Sequence, residues 1–238
     1  MSSACDNEGM DNEPESRIAL IVPASNTIME ADFARVGYLE SEVTVWRIQL
    51  DSVTREAEEQ MITEELPARL DEIKLTNPDL TVFGCTSVGA LGGLSHDATI
   101  AWQIREAAGS NVVTVVGAMI EQLDTLDQTQ IAVFTPYAEE LTRAVVTCVI
   151  ESGYQVPVAN GMGFVDNDEI GKVEPDEIVS FVSKSMQGFE PEAVFLSCTN
   201  WRAVEAIETL SEVLGVPVMT SNQVTLDAVR NLLVRMKS

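Results

Sequence analysis

The sequence predicts an α/β protein made of two pseudo-twofold-related halves, each a mainly parallel sheet covered by helices, with the candidate active site in the cleft between them. Three observations carry this reading. Short apolar runs alternate with amphipathic stretches of helical period. The runs are apolar throughout, as strands covered on both faces are. The second half of the chain also repeats the first at a fixed distance.

In chain order, strands are expected at "RIALIVPA", "VTVWRIQ", "DLTVFG" and "NVVTVVG", then at "QIAVFTP", "YQVPVANG", "EAVFLS" and "VPVMTS". Between them, helices are expected at "TREAEEQMITEELPARLDEI", "DATIAWQIREAAG", "AEELTRAVVTCVIESG", "PDEIVSFVSKSMQGF" and "WRAVEAIETLSEVLG", where apolar residues recur every three to four positions. This order divides the chain into a disordered acidic leader (1–16), a first half (17–120) completed by a C-terminal helix (222–238), and a second half (121–221). Ligands of such sheets bind beyond the carboxyl ends of the strands.

The repeat locates those ends. "IALIVPASNTIMEADF" and "IAVFTPYAEELTRAV" both read strand, proline, polar turn, acidic helix start. Pro23 and Pro136 lie 113 residues apart, as do Cys85 and Cys198, and each cysteine follows its proline by 62 residues. The contexts "LTVFGCTS" and "AVFLSCTN" agree as well. Past the cysteines the register shortens, which places extra residues in the loop "VGALGGLSH". A pseudo-twofold axis then turns both Cys-Thr strand ends toward one cleft.

Composition excludes several partners. With 238 residues and 45% hydrophobic content the chain can bury a sizeable core. It carries 38 acidic against 14 basic side chains, with lysine only at Lys74, Lys172, Lys184 and Lys237. A net charge of −24 repels nucleic acid. The acids are spread along the chain, which reads as a surface suited to a halophilic cytoplasm, where a Debye length of about 3 Å at molar salt screens their repulsion. "MSSACDNEGMDNEPES" has neither the basic start nor the apolar run of a signal peptide. No apolar stretch approaches the roughly 20 residues of a membrane span. We therefore expect a cytoplasmic protein with no membrane or nucleic-acid partner, working as a homo-oligomer.

Four cysteines in such a chain argue against a disulfide framework. Cys5 lies in the leader, and Cys148 sits on the apolar face of its helix as a small core residue. Cys85 and Cys198 remain. His96 is the single histidine and no cysteines are closely spaced, so no metal site is expected. Ser87 lacks the preceding glycine of a nucleophile elbow, and neither "GCTSVGAL" nor "NGMGFVDN" completes a nucleotide-binding fingerprint. A pair of thiols can act as nucleophile and as proton donor near neutral pH, because a cysteine pKa of about 8.5 falls readily at a helix N-terminus. Both cysteines precede expected helices.

The stretches "VPASNTIMEADF", "FGCTS", "FTPY", "DNDEIG" and "LSCTNWRAVEAIETL" together resemble the maleate cis-trans isomerase branch of the aspartate/glutamate racemase superfamily, which also holds arylmalonate decarboxylase. The resemblance runs from about Arg17 to the end. It implies that Cys85 and Cys198 are the catalytic pair, the first as nucleophile and the second as acid. It further implies that Asn26, Tyr137 and Asn167 hold substrate carboxylates, helped by amides and hydroxyls around Thr86, Ser87 and Thr199 beside Pro23. No cofactor is expected, and the substrate would be a small dicarboxylate or an amino acid. Decarboxylases of the family carry glycine at the first cysteine position, so Cys85 speaks against that reaction. After Cys85-Thr86-Ser87 the chain runs Val88, Gly89, Ala90, where isomerases usually place a small residue and a serine.

Three functions compete at this point: cis-trans isomerisation of maleate or a close dicarboxylate, racemisation or epimerisation of an amino-acid or hydantoin-type substrate, and non-catalytic carboxylate binding. Single residues have plain structural alternatives too. Asn26 suits a helix cap, Asn167 a turn, and Tyr137 an exposed turn after a proline. The helix dipole by itself ranks Cys198 as the more acidic thiol, because its helix is expected to begin almost at once. The resemblance ranks Cys85 as the attacking one, and we follow it.

Overall fold

The computed structural model describes residues 16–36 and 41–237. The leader through residue 15, Cys5 included, lies outside the described residues.

The chain opens with β1 (Ser16–Pro23), one residue before the expected boundary, then α1 (Ile28–Val36) and β2 (Ser41–Ile48). A continuous helical run follows, made of α2 (Arg55–Gln60), one π-helical turn (Met61–Glu65) and α3 (Leu66–Lys74). Pro67, which has no N–H to give the ladder, falls directly after the π-helical turn, as the second residue of α3. Next come β3 (Leu80–Phe83), α4 (Thr86–Ala90), α5 (Leu94–Ala108), β4 (Asn111–Thr114) and α6 (Val115–Leu123). The second series is β5 (Ile131–Tyr137), α7 (Glu139–Glu151), β6 (Ala159–Phe164), α8 (Asn167–Ile170), α9 (Pro175–Ser185) and β7 (Ala193–Leu196). A 3-10 turn (Arg202–Ala206), α10 (Ile207–Leu214), β8 (Val218–Thr220) and α11 (Ser221–Met236) complete it.

Two four-stranded parallel sheets result, ordered β2-β1-β3-β4 and β6-β5-β7-β8. The order is the same twice, which is the repeat seen in the sequence. In each sheet the order reverses between the first strand and the strand leading to a cysteine, β1 with β3 and β5 with β7. That switch point is where parallel sheets open a crevice at their carboxyl ends. One apolar core runs through both halves, with Leu20 and Val82 from one sheet and Phe134 and Phe195 from the other. Helix α4 packs on α7, and α11 lies along α6 and β4.

Several strand and helix limits differ from expectation. "NVVTVVG" is strand only to Thr114, whose side chain accepts from the Gly117 N–H and caps α6 from Val115 onward. "VPVMTS" ends the same way, with Thr220 capping α11. In "YQVPVANG" the strand shifts C-terminally to Ala159–Phe164. Pro157 has no N–H to give a ladder, and Gly161 is needed further along: a Cβ there would stand 2.2 Å from the Tyr137 carbonyl oxygen. The first half of the "VGALGG" loop is helix, since α4 spans Thr86–Ala90.

Candidate active site

β3 ends at Phe83, and Gly84 donates its N–H to the Ile21 carbonyl at 2.8 Å. Only glycine permits this approach, because a Cβ would meet Met29 Sδ at 2.6 Å and the Ile21 carbonyl oxygen at 2.9 Å. Pressed against β1 in this way, the chain extends through Cys85, which becomes the N-cap of α4. The Cys85 sulfur faces the Val88 N–H and lies 3.8 Å from the Ser87 hydroxyl. It is 5% exposed. Burial holds this thiol well above its usual range, the carboxyl of Glu58 and the Cys198 sulfur add to the shift, and the Val88 amide and Ser87 oppose it.

The second half repeats the arrangement. The Ser197 N–H bonds the Phe134 carbonyl at 2.8 Å, as Gly84 does in the first half. Cys198, 3% exposed, accepts from the Asn200 N–H at 3.3 Å and from the Tyr137 hydroxyl. Burial pushes its thiol up to about 12, against the pull of Tyr137 and the Asn200 amide. Tyr137 closes β5 and is 2% exposed, so the exposed-turn alternative does not hold. Burial first, and then the two neighbouring thiols, keep its hydroxyl protonated and therefore a donor. Each sulfur thus faces one backbone amide and one hydroxyl.

A polar seam runs beside the thiols. The Pro23 carbonyl accepts the Asn26 N–H at 2.9 Å, forming a tight turn at the end of β1. Asn26 caps α1 through Oδ1 on the Met29 N–H (3.1 Å), and its Nδ2 donates to Thr199 Oγ1 at 2.9 Å. Thr199 in turn donates to the Gly84 carbonyl at 3.0 Å. Asn167 begins α8 and donates to Ser25 Oγ at 2.7 Å, while its carbonyl accepts from Asn200 Nδ2 at 2.7 Å. Thr86 pairs with Ser221 at 3.0 Å. The structure therefore gathers Cys85, Ser87, Tyr137 and Cys198 around the sulfurs. It places Pro23, Asn26, Asn167 and Thr199 on the seam, their side-chain groups largely engaged with one another.

The helix starts fall in the opposite order from that expected. After Cys198 the chain passes through Trp201 into a 3-10 turn, and α10 starts only at Ile207, whereas Cys85 directly caps a helical segment. Trp201 is completely buried and its extended backbone delays the helix.

The sequence reading missed four polar residues. Asn200 spans the seam, accepting from the Thr27 N–H at 3.3 Å as well as donating to Asn167. Asn222 donates to the Thr199 carbonyl at 3.1 Å and to Asp32 at 2.8 Å, and Ser221 supports Thr86. Glu58 on α2 is 0% exposed, and neither carboxyl oxygen has a hydrogen bond of good geometry. Ser87 is close enough to bias its charge without completing such a bond. One signal in the sequence was available: Glu58 stands three residues before Met61, on the apolar face of an otherwise acidic helix. Burial raises its pKa to about 8. Among the described residues no group of three or more His, Cys, Asp or Glu side chains could hold a metal ion, and no helix is long and apolar enough to cross a membrane.

Two parallel α/β halves presenting paired Cys-Thr strand ends at matched switch points fit the class that the sequence resembles, a branch of the aspartate/glutamate racemase superfamily. Within it the chain belongs to the arylmalonate decarboxylase family, whose model matches residues 18–236. A maleate isomerase of Geobacillus stearothermophilus is 27% identical over 219 residues, covering 86% of each chain. Among solved structures, the maleate isomerase of Pseudomonas putida S16, as a cysteine-to-alanine variant with maleate, superposes with a TM-score of 0.83 at 21% identity over 92% of both chains. A cysteine-to-serine mutant of the Nocardia farcinica maleate cis-trans isomerase, with a covalently bound succinylcysteine intermediate, gives 0.81 at 23% identity over 91% of this chain and 92% of that one.

Proposed function

We propose that this chain is a two-cysteine isomerase of a small dicarboxylate, converting maleate to fumarate without a cofactor. The observation that carries the reading is the duplicated thiol environment: two buried sulfurs at equivalent strand ends, each facing an amide and a hydroxyl. Solved relatives with bound maleate and with a succinylcysteine support the choice of substrate.

The chemistry closes on the two sulfurs. Once the pair has given one of its two thiol protons to solvent, the Cys85 thiolate adds to one alkene carbon and the Cys198 S–H delivers its proton to the other. The carbon–carbon bond is then single and rotates. Cys198 takes the proton back, the carbon–sulfur bond breaks, and fumarate leaves. Tyr137 donates to Cys198 and stabilises it as thiolate midway, and the Val88 amide and Ser87 do the same for Cys85 at either end of the cycle. Formation of fumarate from maleate, followed by proton NMR in molar KCl, tests the reading. No fumarate, with solvent deuterium entering an amino-acid substrate instead, would move the assignment to racemisation.

The remaining traits are part of the same proposal. The acidic surface suits a halophilic cytoplasm, and the chain works as a homo-oligomer through exposed apolar surface such as Trp102 on α5. A sedimentation experiment that finds only monomer in molar KCl would remove the oligomer.

A further inference from the structure

We propose that Glu58 is a further substrate-contacting residue, which donates its carboxyl O–H to one carboxylate of the bound dicarboxylate. The inference rests on the dicarboxylate reading and adds to it the group that recognises the second charge.

The geometry comes first. α2 packs on α4, which sets the Glu58 carboxyl beside Ser87 and within electrostatic reach of Cys85, Cys198 and Tyr137. Both of its oxygens are buried without a well-formed hydrogen bond. An interior polar group left in that state is costly, which points to a missing partner. The cation one turn away does not supply it. Arg55 gives its guanidinium to Glu140 at 2.6 Å, to Glu59 at 3.4 Å and to the Leu91 carbonyl at 3.3 Å. The expected carboxylate holders are already engaged: Asn26 with Met29 and Thr199, Tyr137 with Cys198, Asn167 with Ser25, Thr199 with Gly84. Glu58 has both carboxyl oxygens uncommitted.

Its protonation state follows from its surroundings. Burial raises the pKa, Glu140 adds to the rise, and Ser87 and Arg55 only partly offset it. The two thiols and Tyr137 bring no positive charge. At neutral pH Glu58 is therefore a neutral acid, able to donate where an ionised glutamate would repel a dianion. An O–H donated to a carboxylate is among the stronger hydrogen bonds.

The experiment uses succinate as an unreactive probe and maleate as substrate. Wild-type protein should bind succinate with net proton uptake above pH 8, read by calorimetry in buffers of different ionisation enthalpy, and its KM for maleate should climb over the same range. Glu58→Gln keeps a donor but cannot titrate, so uptake should vanish and the alkaline rise in KM should flatten. Glu58→Met should raise KM about 10- to 100-fold, as expected for a hydrogen bond to a charged group, with kcat changed far less. Three results would overturn the proposal: no proton uptake in wild type, a Glu58→Gln profile matching wild type, or a loss confined to kcat, which would make Glu58 a base for Cys85. The first needs no variant and stands even if Glu58→Met does not fold. Absence of any maleate or succinate binding by wild type would instead sink the dicarboxylate reading, and the role of Glu58 with it.

Discussion

The side-chain amide of Asn26, at the end of the first strand, donates to Thr199 Oγ1 at 2.9 Å, although the two residues are 173 positions apart. Thr199 passes the bond on to the Gly84 carbonyl, next to Cys85. One polar chain thus ties the turn after β1 to both cysteine loops.

That chain should behave as a unit. Asn26→Ala removes the cap of α1, worth about 1 kcal/mol, and also takes away the donor to Thr199 Oγ1. Thr199→Val leaves Asn26 Nδ2 and the Gly84 carbonyl unpaired, at about 1–3 kcal/mol. The double variant should cost less than the two singles together, by at least about 0.5 kcal/mol. Strict additivity in urea melts would count against the link.

The thiols have separate tasks, so Cys85→Ser and Cys198→Ser should each lower maleate turnover by orders of magnitude while circular dichroism stays native. Cys148, buried on α7 away from the seam, should tolerate serine with full activity and a modest loss of stability. Normal turnover in either of the first two variants would end the two-thiol mechanism.

Trapping distinguishes attacker from acid. Cys198→Ser incubated with maleate and quenched in acid should carry a succinyl group on Cys85, mapped by mass spectrometry. The same adduct found only on Cys198, in wild type or in Cys85→Ser, would invert the roles.

Buried acids make stability fall with pH, Glu58 and Asp97 above all. The pKa of Glu58 is raised from 4.5 to about 8, and that of Asp97 from 3.8 to about 6, both chiefly by burial. A carboxyl whose folded pKa lies above its unfolded value contributes its stability in full below the unfolded pKa and loses it as pH rises through the folded one. Melting temperature should therefore decline between about pH 4 and pH 8. Asp97→Asn should flatten the lower part of that decline and Glu58→Gln the upper. Unchanged curves in both variants would contradict these shifts.

Net charge sets a further expectation. At −24 the surface repels itself in dilute buffer, and KCl in the molar range screens that repulsion. The melting temperature should rise with KCl; indifference to salt would remove the halophilic reading.

The sequence by itself determined the duplicated α/β architecture and the pair Cys85 and Cys198. Both are written in local period and in spacing: apolar strands leave unbroken runs, helices a 3.6-residue rhythm, and a repeat keeps its distances. Tertiary structure decided what depends on surroundings. Glu58 lies in "REAEEQ", where nothing but its position on the apolar face separates it from its exposed acidic neighbours; it became a neutral interior acid because α2 packs on α4 and removes its water. Where the helices begin after the two thiols was settled by the burial of Trp201, which holds the chain extended after Cys198 while Cys85 caps α4 at once. The position of β6 turned on Gly161 passing close to the Tyr137 carbonyl, a contact between strands that no local pattern encodes. Burial, desolvation and close approach are properties of neighbours brought from far along the chain, so only the folded molecule sets them.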